Sequence, residues 1–376
     1  MEIPRQNYTL ESFLDYIIKN TEKVFHEKQE RKWLKVYLVY TIKDWEKLFE
    51  GLKKEKYGEI THIIFDTNPI GNPLGVTTEY YVYQWIPGLI LLFTSSTQEY
   101  YERTIKHFIA SKRGITQSWI RPFLMDQIRK YLIESHHALT YRFIGRRFRY
   151  WKYPTKIRSD YDRRISYSGE DADYALNELA ELYGIIPSSI DMRIGESKFQ
   201  INRNGLFVIR HINRTTIGVL QEIIEKILAE QIRIRNISEE FIIKTKSLGE
   251  GRNELKVQSV VAGKIILPNR IQSKLTIDNM FHKHNDLNYD PGYANIDDED
   301  RMETNFSFLD TFIQEHPLIF AATVLDETKG TVFGISGEEN GIALIPKHRT
   351  TFESFLNFFN YIAENFDHDA GLAIFR

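Results

Sequence analysis

The stretch YYVYQWIPGLILLF, residues 80–93, decides how this chain is read. Its two halves, 80–86 and 89–93, are rich in aromatic and branched residues and flank Pro87-Gly88, the pattern of two strands joined by a tight turn. Outward from it, ITHIIF (60–65) and VYLVY (36–40) carry the same strand composition. If 60–65 and 89–93 each pair antiparallel with 80–86, they run in one direction and their carboxyl ends share an edge. Leu10, Phe13, Ile17, Val24 and Phe25 recur near helical spacing, and Trp45, Leu48, Phe49 and Leu52 form a second apolar stripe. Two more helices are expected at about 97–111 and 121–135, with Gly114 between them and Pro122 in a first turn. Residues 1–140 thus read as a mixed α/β sheet domain.

Further on, helix and hairpin alternate. EDADYALNELAELYG (170–184) is a helix closed by glycine, SKFQINRNGLFVIRH (197–211) a hairpin turning at Asn204-Gly205, TIGVLQEIIEKILAEQ (216–231) a helix, and 240–267 a second hairpin. Residues 165–270 are therefore expected to form an α+β domain, a helix-hairpin-helix-hairpin unit with the form of an old duplication, though its two copies share no clear residue pattern. A C-terminal α+β region, 271–376, opens with the acidic loop 284–305, continues through strands at 320–325, 331–336 and 341–345, and ends in a helix over 350–366. There Phe352, Phe355, Phe358, Phe359 and Ile362 mark a core face. The expected class is α/β and α+β, multi-domain.

Composition bounds the chemistry. The 376 residues exceed what one hydrophobic core usually serves, and 42% hydrophobic residues suffice to fold. The absence of cysteine excludes disulfides, thiolate metal sites and a cysteine nucleophile, and fits a reducing setting. The N-terminus lacks a signal-peptide pattern and no apolar run reaches the roughly 18 residues that span a bilayer. The chain is accordingly expected to be soluble and cytoplasmic, without a membrane partner.

Charge is unevenly placed. The connector 141–164 includes RFIGRRFRYWKYPTKIR (142–158); from 142 to 164 lie nine of the 49 Lys/Arg and two of the 51 acids, a local +7 against −9 for the remainder. Arginine and lysine attract phosphates whatever the sequence, and aromatic rings and guanidinium planes stack on exposed bases. Arg146, Arg147, Arg149, Lys152, Lys156 and Arg158 are the candidate phosphate contacts, Tyr150 and Trp151 the candidate stacking residues. The competing reading is a connector whose arginines meet acidic partners while the rings fill an interface.

Other constellations are thinner. Glu240, Glu254 and Lys256 resemble the acid and Glu-x-Lys arrangement of metal-dependent nucleases, if Glu240 opens one arm of the second hairpin. Asp286, Asn288, Asp290 and Asp297 have the spacing of a calcium loop, but Pro291 stands where glycine is required. His282 and His284, two apart, are a weak metal pair. Asp66 and Thr94-Ser95-Ser96 would share a sheet edge where ligands bind, although Ser and Thr before a helix are ordinary caps. No nucleophile elbow, Walker A loop, His-Glu-x-x-His or dinucleotide fingerprint occurs. The sequence therefore points to a nucleic-acid-binding recognition or accessory component of a larger assembly, without cofactor or metal. Its partners would be nucleic acid and a further protein or second copy; the rivals are a metal-dependent nuclease and a scaffold for an acidic partner.

Overall fold

The apolar runs become strands because alternating side chains let each bury one or both faces, and every named strand pair is antiparallel. The computed structural model describes residues 1, 3–24, 33–41, 44–66, 77–147, 164–240, 244–248, 255–259, 262–271, 273–282, 306–347 and 350–375. It divides into two units, one of residues 1–147 and 155–226, the other of 148–154 and 227–376.

In the first unit α1 (Leu10–Lys19) and α2 (Thr21–Val24) precede β1 (Leu34–Thr41), α3 (Trp45–Leu48), β2 (Lys53–Tyr57), β3 (Ile60–Asp66), β4 (Thr77–Ile86) and β5 (Leu89–Thr94). A helical stretch follows: α4 (Gln98–Tyr101), a π-helical turn (Glu102–Lys106) and α5 (His107–Ser111). Then come β6 (Ile115–Gln117), α6 (Pro122–His136), β7 (Leu139–Arg147), β8 (Arg164–Ser168), α7 (Ala172–Tyr183), β9 (Ile185–Ile194), β10 (Ser197–Asn202), β11 (Leu206–Ile209) and α8 (Arg214–Glu240), whose last part lies in the second unit. The sheet order is β2-β3-β4-β5-β1-β11-β10-β9-β7-β8, with β6 also on β1. The expected β3-β4-β5 arrangement is present. Hydrogen bonding also crosses the expected division between 1–140 and 165–270, for β1 pairs β5 on one side and β11 on the other.

Helices cover the sheet from both sides. On one face Tyr37, Val39, Tyr80, Val82, Ile90 and Leu92 pack under Trp45, Phe49, Tyr101, Ile105 and Ile109, and Tyr37 stacks on Tyr101 at 4.0 Å. On the other, Phe13 of α1 meets Tyr81 and Phe93, and Phe143 and Tyr167 lie beneath Ala172 and Leu176 of α7. Gly184 ends α7 in the left-handed conformation that its position in the sequence predicts.

The second unit contains the hairpin β12 (Lys244–Leu248) and β13 (Leu255–Ser259), then β14 (Ala262–Ile266), α9 (Lys274–His282), β15 (Phe306–Gln314), β16 (Ile319–Asp326), β17 (Thr331–Glu338), β18 (Gly341–Pro346), α10 (Phe352–Asn365) and β19 (Gly371–Phe375). Its six-stranded order is β15-β16-β17-β18-β14-β19. The two expected middle hairpins do not share a sheet: 197–209 belongs to the large sheet and β12-β13 stands as its own pair. The three C-terminal strands and the final helix lie where the sequence predicts. Phe355, Phe358, Phe359 and Ile362 are buried, and so is the polar row Glu353, Asn357, Asn360 and Glu364 of the same helix.

Candidate nucleic-acid interface

β7 carries Arg142, Arg146 and Arg147, and strand alternation sorts them. Phe143, Gly145 and Arg147 turn toward the α7 side, where Arg147 is only 5% exposed. Arg142, Ile144 and Arg146 turn to the opposite face, with Arg142 exposed and Arg146 half-buried. The two arginines predicted to act together, Arg146 and Arg147, are thus separated by the sheet. Arg149, Tyr150, Trp151, Lys152, Lys156 and Arg158 lie outside the described residues.

The register extends the Arg142 face across five strands. Arg164 of the edge strand β8 stands directly opposite Arg146, with Ser166 and Ser168 next to it, all exposed. On the other side Arg142 pairs with Asp191 of β9, and Arg193 pairs with Lys198 of β10. Arg210, immediately after β11, reaches back over this face: its Nη2 donates to Asp191 Oδ1 and Oδ2 at 3.1 Å and to Gln200 Oε1 at 3.1 Å, and its Nη1 donates to Tyr141 Oη at 2.6 Å. Gln200 Nε2 donates to Ser189 Oγ and Asn202 Oδ1, and the Arg210 guanidinium lies 4.9 Å from the Trp33 ring.

Six cations therefore share one polar face; Asp191 is the sole Asp or Glu within β7 to β11, and Glu170, before α7, reaches Arg193 at 3.7 Å. Burial pushes the Asp191 carboxyl above its ordinary range, against the pull of Arg210 and Arg142. Arg146 and Arg164 bring two like charges directly opposite each other across β7 and β8. Arg142 and Arg146 sit about 13 Å apart along β7, and neighbouring strands are about 4.8 Å apart, so the cations form a lattice over an area an extended polyanion can follow. Arg193, Lys198 and Arg210 escaped the sequence reading, and Arg164 entered it only through the charge count, because they assemble only through non-local pairing.

The other candidates come apart. Glu240 closes α8 and does not open a hairpin arm, since the helical pattern runs on past residue 231 without a glycine or proline; this removes the first acid of the nuclease arrangement. Glu254 and the side chain of Lys256 lie outside the described residues, although β13 itself pairs Lys256 with Ser247. The calcium-like loop 286–297, His284 and the His282 side chain are also outside them. At the β3 and β5 ends Asp66 is exposed, while Thr94 Oγ1 donates to Glu79 O at 2.9 Å and accepts from Ser96 N at 3.1 Å, and Lys35 Nζ donates to Ser96 O. The Ser96–Thr94 bond forms a turn and the other two tie β5 to β4 and β1, while the intervening loop 67–76 is outside the described residues. Among the described residues no helix is long and apolar enough to cross a membrane.

Two comparisons bear on the chain. Residues 124–204, from α6 to the start of the β10–β11 turn, match the AF_0896_M family middle domain. Over 326 residues the chain is 22% identical to an uncharacterized protein of Archaeoglobus fulgidus, covering 85% of this chain and 79% of that one. The matched middle domain contains β7, β8, β9 and most of the cationic face.

Proposed function

We propose that this chain binds nucleic acid through the cationic face of β7 to β11, as a recognition or accessory component of a larger assembly. The carrying observation is the opposed Arg146–Arg164 pair beside Arg142 on an exposed sheet face. Arg142, Arg146, Arg164 and Lys198 contact phosphates; Arg149, Lys152, Lys156 and Arg158 are further candidate phosphate contacts and Tyr150 and Trp151 candidate stacking residues, all six outside the described residues. Arg147 belongs to the fold.

Fluorescence anisotropy on labelled single- and double-stranded DNA and RNA, over a salt series in EDTA, tests this. Each phosphate neutralised adds about −0.7 to −0.9 to the slope of log K against log salt. The Arg142→Ala/Arg146→Ala/Arg164→Ala variant is expected to flatten that slope by roughly two to three units and to weaken binding to all sequences alike. Unchanged slope and affinity in the triple variant would refute the assignment. Absence of any nucleic-acid binding, with capture of an acidic protein instead, would give the face to a scaffold role.

A further inference from the structure

Among the described residues, the helices that contact the six-stranded sheet of the second unit lie on one side of it. Phe281 of α9 meets Phe308 and Phe320, and Phe355 and Phe358 of α10 meet Phe333. The register places Leu309, Phe312, Ile319, Ile345 and Ile266 on the opposite face, where they are 50%, 53%, 39%, 39% and 45% exposed. Singly exposed hydrophobic residues are ordinary, but five that share one sheet face, interleaved with Gly334, Thr323, Glu338 and Gly341, mark a contact surface.

We propose that two copies of this chain associate by stacking this sheet face on its twin. Size permits it: six strands about 4.8 Å apart and about six residues long, at about 3.3 Å each, span roughly 570 Å². Two copies would bury about 1,100 Å², the low end for a specific interface, so the dimer is weak. Charge favours self-pairing. Lys264 meets Glu338 at 3.1 Å, and Lys347 Nζ donates to Thr323 Oγ1 at 2.8 Å, which in turn lies 3.4 Å from Asp310 Oδ2. Glu327 accepts from Ser307 on the same face, so two cations and three acids are interleaved there, and a twofold axis can set the cations of one copy against the acids of the other. The outer strand β15 bulges between Leu309 and Phe312, with Asp310 at φ 50°. Such a bulge blunts strand addition at that edge and directs association to the face.

Sedimentation equilibrium of the full chain over a dilution series is the test, with Phe312→Glu and Ile345→Glu as face variants and Leu275→Glu, exposed on α9, as control. Wild type and Leu275→Glu are expected to move from monomer to dimer with concentration while both face variants stay monomeric. A wild type that is monomeric throughout, or a dimer that persists in both face variants, overturns the proposal. If a face variant loses its circular dichroism, hydrogen exchange of the wild type decides. Slower exchange along β15 to β18 at high concentration supports the dimer, and exchange independent of concentration overturns it.

Discussion

Arg210 holds Asp191 through both carboxylate oxygens at 3.1 Å, joining the end of β11 to β9 across the intervening β10. Asp191 is 3% exposed and Gln200 accepts from the same guanidinium, so the pair is built into the sheet. It also neutralises the cationic face from within. Asp191→Asn therefore acts in two directions. Leaving Arg210 without its charge partner is expected to cost about 2–3 kcal/mol in urea denaturation. Removing the acid is expected to raise nucleic-acid affinity about threefold at low salt, measured by anisotropy.

Lys35 gives a pH dependence. Burial lowers its pKa to about 8 from the usual 10.5, while Nζ donates to Ser96 O. The unfolded chain binds the proton more tightly, so stability is depressed below pH about 8 and rises as pH increases from about 8 to 10.5. The rise is at most about 3.4 kcal/mol. Denaturation midpoints at pH 7, 8, 9 and 10 are expected to show this limb in wild type, and to lose it in Lys35→Met.

Gly205 has φ +72° in the turn between β10 and β11, and a Cβ there would stand 2.4 Å from the Ser118 carbonyl oxygen. Both the left-handed backbone and the close approach require glycine. Gly205→Ala is expected to cost about 2 kcal/mol or more and to lower Tm. An unchanged Tm would show that the turn shifts freely.

Local pattern was enough to find β1, β3, β4 and β5, the Asn204-Gly205 turn and α10, because each carries its period or its turn residues within a few positions. The sheet as a whole was not legible. β1 pairs β11 through Leu34 and Ile209, and nothing near either residue records a partner so far along the chain. β7 was hidden for a different reason: in LTYRFIGRR its outward row is Arg142, Ile144 and Arg146 and its inward row Phe143, Gly145 and Arg147, so neither row is uniformly polar or apolar. The same mixture obscured the split between Arg146 and Arg147. The five exposed apolar residues of the second sheet carried no signal in sequence, since their shared face exists only once β14 has joined β18, some 75 residues further on.

Arg129 shows how a charged residue can hold two helices of the first unit together. It is 1% exposed, and its guanidinium donates to Asp126 Oδ1 at 2.6 and 3.0 Å, to Asn177 Oδ1 at 2.7 Å and to Asp173, tying α6 to α7. For Asp126, burial pushes the carboxyl up, but hydrogen bonds and charge from Lys130 and Arg129 outweigh it and leave the pKa lowered. A depressed carboxyl contributes stability that is present above its unfolded pKa, near 3.8, and is lost as pH falls through the folded value. Arg129→Met is expected to cost about 2–4 kcal/mol at neutral pH by leaving Asp126, Asp173 and Asn177 without their shared donor. The penalty should shrink at acid pH as the Asp126 carboxylate becomes protonated. Urea denaturation of wild type and variant at pH 7 and pH 3.5 checks both statements, and a penalty independent of pH would assign the role of Arg129 to shape and not to charge.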